Sequence, residues 1–339
     1  MDSIGIYYTF KANKTPNDPT STISTDLHVN YIKGKSTNND GYKRILDFGL
    51  KIIDDARKVD SIYFYFPFTI TENNISDLGE KCSNHEFLSI LFNDNYTVSN
   101  DSNNNYCKVE PVSSEKETFY FYKLGKENYN IRTISNNHTL LQIQIKSLPR
   151  QNGVEAKDKE KLSIYFRFRL RDLPINSIFH LENMSNNFLQ SAFSKVEMLD
   201  FSINEIRKMN AKVQEELSAD NRIALRFKKI HFHFIGSSDD EHIDGSTHYR
   251  DCALLDAERW GNYLSDIDIK KHQCIAYHWC VKSEDEKTIP GYNIFFRSTF
   301  KDLSWKTLIK YILIMVAFGV AGSGIVEGIV FLITNLLKA

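Results

Sequence analysis

Residues Tyr311 to Leu337 read YILIMVAFGVAGSGIVEGIVFLITNLL, 27 residues carrying one charge, that of Glu327. As a helix rising 1.5 Å per residue this stretch is about 40 Å long, more than the ~30 Å hydrocarbon core of a bilayer. A soluble helix of such length normally shows a polar face, and this one has none, so the reading is a transmembrane helix rather than a buried core helix. Lys301, Lys306 and Lys310, with Arg297 before them, precede the span, and only Lys338 follows it. By the positive-inside tendency the bulk of the chain is expected in the cytoplasm. Trp305 and Tyr311 fall where interfacial aromatics belong. The architecture expected is a single-pass, tail-anchored protein of the inner (cell) membrane, with residues 305–339 as the tail and membrane lipid as its first partner.

Within the span Gly319, Gly322, Gly324 and Gly328 make a small-residue stripe that includes a literal Gly324-x-x-x-Gly328. In lipid, where packing rather than hydrophobicity drives helix association, such a stripe lets helices approach closely, and self-association through the tail is expected. Glu327 is the exception to the apolar pattern. A carboxylate at mid-bilayer costs about 2.5–3.5 kcal/mol, so Glu327 either faces a partner helix or water, or snorkels to the nearer boundary.

Outward from the tail, the composition is that of a folded protein: 339 residues, 42% hydrophobic and 25% charged, are enough for one large domain or two modest ones. Lys plus Arg (42) nearly balances Asp plus Glu (43), which argues against general nucleic-acid binding. Met1 to Phe10 has no basic, apolar leader, and five cysteines without framework spacing suit a reducing compartment.

The body is expected to be α+β and β-rich after residue 105, with an α/β subdomain over 1–105 and a β-rich subdomain over 106–304. Ile4 to Phe10, Asp26 to Ile32 and Ser61 to Phe66 read as strands. Between them Tyr42, Ile45, Leu46, Gly49, Ile52, Ile53 and Ala56 recur at three-to-four spacing behind Asp40, which predicts a capped helix. A second helix is expected over Ser76 to Phe92, followed by a loop to Asn105. Leu141 to Lys146 and Leu162 to Arg171 alternate with period two. So does Ile223 to Phe234, where the apolar phase slips at Lys228-Lys229 and predicts a bulge. Cys252 to Leu264 reads as a short helix capped by Asp251, and Gln273 to Val281 and Tyr292 to Ser298 as closing strands.

Three constellations carry possible chemistry. Arg167, Arg169 and Arg171 share one strand face while Phe166, Phe168 and Leu170 take the other, and three guanidiniums in a row suit an anion such as a phosphate. Arg226 and Lys228 extend that surface; the alternative is pairing with carboxylates of a neighbouring strand. His231 and His233 share a face about 6.6 Å apart, a spacing that can serve one metal. Metal-dependent hydrolases with a His-x-His-x-Asp-His signature need Asp and His next, however, and Phe234-Ile235 stand there. Last, His272, Cys274, His278 and Cys280 share parity on one strand, but a straight strand brings at most one adjacent pair to a single ion. No nucleophile elbow, phosphate loop or dinucleotide fingerprint occurs, and neither a catalytic residue nor a cofactor is assigned.

A cytosolic α+β body on the small-residue-rich segment Tyr311 to Leu337, in an Asn/Lys/Ile-rich chain, resembles the membrane-acting effectors of prokaryotic anti-phage defence. The resemblance implies an activity: oligomerisation on a trigger, followed by permeabilisation or depolarisation of the inner membrane. It also implies a partner protein or phosphorylated ligand supplied by a neighbouring gene product. The other readings are a passive membrane-tethered adaptor and a membrane-bound metal-dependent hydrolase.

Overall fold

The structure, a computed structural model, describes residues 2–11, 22–37, 42–82, 84–92, 94–100, 105–113, 117–135, 137–148, 161–173, 178–183, 194–219, 222–245, 248–269, 273–284, 287–301 and 305–337. The first part of the chain forms β1 (Gly5–Phe10), β2 (Thr25–Lys35), β3 (Tyr42–Ile52), β4 (Val59–Phe66), β5 (Ile75–Asp77), α1 (Gly79–Cys82) and α2 (His85–Phe92). The middle forms β6 (Tyr96–Asn100), β7 (Tyr106–Pro111), β8 (Phe119–Tyr122), β9 (Tyr129–Ser135), β10 (His138–Gln144) and β11 (Ile164–Leu170). Then come β12 (Phe179–Asn183), β13 (Ser194–Ile203), α3 (Ala211–Ala219), β14 (Ile223–Ala224), β15 (Phe227–Ser237) and β16 (Glu241–Gly245). The chain closes with β17 (Asp251–Leu254), α4 (Ala257–Trp260), β18 (Cys274–Lys282), β19 (Tyr292–Lys301) and α5 (Trp305–Leu336).

These strands build three sheets. The largest runs β17-β18-β15-β2-β3-β11-β8-β7-β6, with β5 also on β11; the others run β14-β1-β4-β10-β9 and β12-β13-β19-β16. Pairing is antiparallel except for β15 with β2 and β11 with β8. Alternation decides which face of the large sheet is apolar. Leu27, Val29 and Tyr31 of β2 stand opposite Leu50, Phe48 and Leu46 of β3, and Ile230, Phe232 and Phe234 of β15 continue the row. That face packs on both smaller sheets: Phe48 meets Phe64 of β4 at 5.6 Å between ring centroids, and Phe234 meets Phe296 of β19 at 4.8 Å. One apolar core thus runs from Ile4 to Phe296.

The α+β, strand-rich body with one C-terminal apolar helix is as expected. Four local readings need correction. The stretch 42–56 is a strand, β3, and its proposed cap Asp40 lies outside the described residues. Leu46, Phe48, Leu50 and Ile52 also satisfy a period of two, and two flanking strands supply the hydrogen bonds that settle the choice. Ser76 to Phe92 begins as a strand and contains two short helices, and Tyr96 to Asn100 in the expected loop pairs as a strand with β7. Asp251 opens a strand, and the short helix is capped by Asp256, whose carboxylate accepts from the Glu258 amide. Residue 105 does not divide the fold, because strands from both sides of it alternate within the large sheet. The bulge is present: the register of β15 on β2 shifts between Phe227 and Lys229.

The helix α5 is unlike the rest. Within Tyr311–Leu336 an 18-residue window reaches a mean hydropathy of 2.1 with 0% of it buried, so the helix is long and apolar enough to cross a membrane. Two of its hydroxyls fold back on the helix, Ser323 donating to the Gly319 carbonyl (3.1 Å) and Thr334 to the Val330 carbonyl (2.7 Å). Around Gly319, Gly322, Gly324 and Gly328 there is open space where a side chain would stand.

Candidate functional site: a polar row across the large sheet

The second face of the large sheet carries a continuous polar row. Arg169 of β11 stands opposite Asp47 of β3, Asp47 opposite Asn30 of β2, Asn30 opposite His233 of β15, His233 opposite His278 of β18, and His278 opposite Asp251 of β17. One register step away lie Arg167, Gly49, His28, His231 and Cys280. Alternation puts both rows on the face turned away from the Phe48 and Phe232 core. Residues after α4 help to cover them, chiefly Tyr263, Leu264 and Ile267.

The arginine half of this row is closed. Arg167, Arg169 and Asp47 are fully buried. Arg169 donates from Nε and Nη2 to the two Asp47 carboxylate oxygens at 2.8 and 2.9 Å, a forked pair, and from Nη1 to Asp266 at 3.0 Å. Arg167 donates to the Tyr263 hydroxyl from Nε (3.0 Å) and Nη2 (2.8 Å) and to the Tyr165 hydroxyl from Nη1 (2.9 Å). Tyr263 in turn donates to Asp47, which thereby acts as counterion to both guanidiniums. Arg171 is half-buried and shares Asp266 with Arg169, at 3.1 Å from Nε.

The expected phosphate-binding surface at Arg167, Arg169 and Arg171 is therefore corrected. The parity is right, but the face is covered, and all three guanidiniums already meet carboxylates or phenols. Arg226 is exposed outside β15, and Lys228 donates to the Lys287 carbonyl at 3.2 Å; neither joins the three arginines.

The histidine half is more open and chemically unspent. His28 lies buried with its Nδ1 3.3 Å from the Tyr165 hydroxyl and its ring edge-on to His231, centroids 4.9 Å apart. His231 Nδ1 and His278 Nε2 are 2.9 Å apart, so one donates and the other accepts. His233 stacks on His278 with centroids 4.4 Å apart, and its Nδ1 is buried without a hydrogen-bond partner. Burial disfavours the charged form of these imidazoles. It pushes His231 down to about 3, aided by the neighbouring His278, and takes His28 and His233 well below the ordinary histidine range. His278 is lowered by burial too, partly offset by Asp251, whose Oδ2 lies 3.7 Å from its Nδ1.

His231, His278 and Cys280 bring one ligand atom each to within 4.8 Å of one another. Sequence reasoning found His231 and, separately, the pair His278 and Cys280, but not their union. The pairing of β15 with β18 joins them, and no local spacing announces it. His272 lies outside the described residues, and Cys274 is buried. No protein-family model matches the chain, and no curated protein is similar to it.

Proposed function

We propose that this is a tail-anchored effector of the anti-phage type: α5 holds it in the inner membrane with the body in the cytoplasm, and copies assemble through the tail to permeabilise or depolarise the membrane on a trigger. The observation that carries the reading is α5 itself, a 26-residue apolar span with no part of it buried against the body. In water such a surface would aggregate; in lipid it is ordinary. The open space along Gly319, Gly324 and Gly328 suits close helix-to-helix packing, with Glu327 on the assembled tail positioned to meet a partner helix or water. The trigger reaches the body as a partner protein or phosphorylated ligand from a neighbouring gene product.

The test is expression with its genomic neighbours under phage challenge while membrane potential is followed. The intact chain is expected to collapse the potential. Replacing Tyr311 to Leu337 with an unrelated single-span helix, or introducing Gly324→Leu with Gly328→Leu, is expected to abolish the collapse while the protein stays in the membrane. If the replaced tail works as well as the native one, the helix is a passive anchor and the protein an adaptor.

A further inference from the structure

We infer that His231, His278 and Cys280 form a binding site for one borderline-soft divalent cation of the zinc class, with its fourth coordination position open. The site does not depend on what α5 does.

Topology assembles the ligands. His231 and Cys280 face each other directly across β15 and β18, and His278 is two residues from Cys280 on the same face. The three are half-buried, so the cluster is reachable from solvent. Two imidazoles on one tetrahedral zinc, with bonds of about 2.0–2.1 Å, hold their nitrogens roughly 3.3 Å apart, and a thiolate sulfur stands about 3.6 Å from each. The His231 Nδ1 to His278 Nε2 separation of 2.9 Å needs to widen by a few tenths of an ångström. The sulfur needs to close by no more than about 1.2 Å from the 4.8 Å limit.

The surroundings match those of a metal-ligating histidine. His278 offers Nε2 to the cluster, while its Nδ1 points toward Asp251, directly opposite on β17 with Oδ2 at 3.7 Å. A carboxylate behind the second ring nitrogen is the usual outer partner that fixes the tautomer and orients the ring. Beside them His233 has a buried Nδ1 with no partner among the described residues, a polar atom the protein alone leaves unsatisfied. Two nitrogens and a thiolate select zinc, cobalt or nickel over magnesium and calcium, which require oxygen ligands.

Full-length protein, purified in detergent and stripped with chelator, is titrated with Co²⁺ and then with Zn²⁺. The expected result is one equivalent of Co²⁺ per chain, with tetrahedral d–d absorption and a thiolate-to-cobalt charge-transfer band, both bleached by Zn²⁺. Cys280→Ser should lose the charge-transfer band, and His231→Gln and His278→Gln should each weaken binding at least tenfold. Asp251→Asn should weaken it about 10–100-fold. Cys252→Ser, an exposed thiol outside the cluster, should change nothing. Lack of saturable Co²⁺ uptake by the wild-type chain overturns the proposal, as does a cobalt spectrum without a thiolate band. Because the wild-type spectrum decides the matter alone, a variant that misfolds does not protect the idea.

Discussion

Asp47 accepts from Arg169 and from Tyr263 with no exposure to water, and through them serves two buried guanidiniums. Removing one member of such a network strands the other charges in a medium that cannot solvate them. Asp47→Ala is therefore expected to destabilise the protein by about 3–5 kcal/mol, read from urea unfolding of the detergent-solubilised chain; a loss under 1 kcal/mol would mean that Asp266, already on Arg169, or water compensates both arginines without it.

Asp77 shows the opposite case. Burial raises its carboxyl to about 6, against backbone amides that favour the anion. Because the folded value lies above the unfolded one, the ionised group is a penalty, present in full above pH 6 and gone below about 4. Asp77→Asn should stabilise the protein by about 2 kcal/mol at pH 8 and by nothing at pH 4, and a flat difference across that range would refute the account.

Residue parity was legible here, since Arg167, Arg169 and Arg171 do share a face. Their environment was not: Asp47 is 122 residues from Arg169, and Tyr263 is 96 from Arg167. Contacts of that separation leave no trace in a local pattern.

At the scale of elements, β3 shows why one period can pass for another. Gly49 fits a helical stripe as a small apolar residue, but in the folded sheet it is the gap through which Tyr165 and Arg167 reach past the strand. A Cβ on Gly49 would stand 2.9 Å from Arg167 Nη1 and still closer to the Tyr165 hydroxyl. Gly49→Ala is expected to cost about 1–3 kcal/mol by overpacking. Combined with Tyr165→Phe, which removes the nearest atom, the loss should be smaller than the sum of the two single losses, and strict additivity in a double-mutant cycle would exclude the clash. The bulge in β15 was readable because it shifts the phase of a strong alternation, whereas β6 was hidden in an Asn-rich stretch that owes its pairing wholly to β7. In α5, the back-bonded hydroxyls of Ser323 and Thr334 meet their own helix carbonyls, so neither needs a partner helix.

At the scale of the whole molecule, the sheets interleave distant parts of the chain, and a division at residue 105 fails because nothing local marks which strands will pair. The long apolar helix at the C-terminus, by contrast, was legible, since its solvent preference follows from composition rather than from contacts. Two extracts test that preference. The full chain should stay in the membrane pellet after alkaline carbonate washing, and a chain ending at Lys301 should appear in the supernatant. Release of the full chain by the wash would remove the membrane reading, and retention of the shortened one would place the attachment in the body.

Only three residues separate the end of β19 at Lys301 from the start of α5 at Trp305, a span of at most about 15 Å. With α5 in a bilayer, so short a leash confines every copy to a thin layer at the membrane surface, where neighbours meet by lateral diffusion at a raised effective concentration. Contacts between bodies too feeble to detect in a cuvette would then gain from that confinement, and any clustering would depend on the number of copies per unit area.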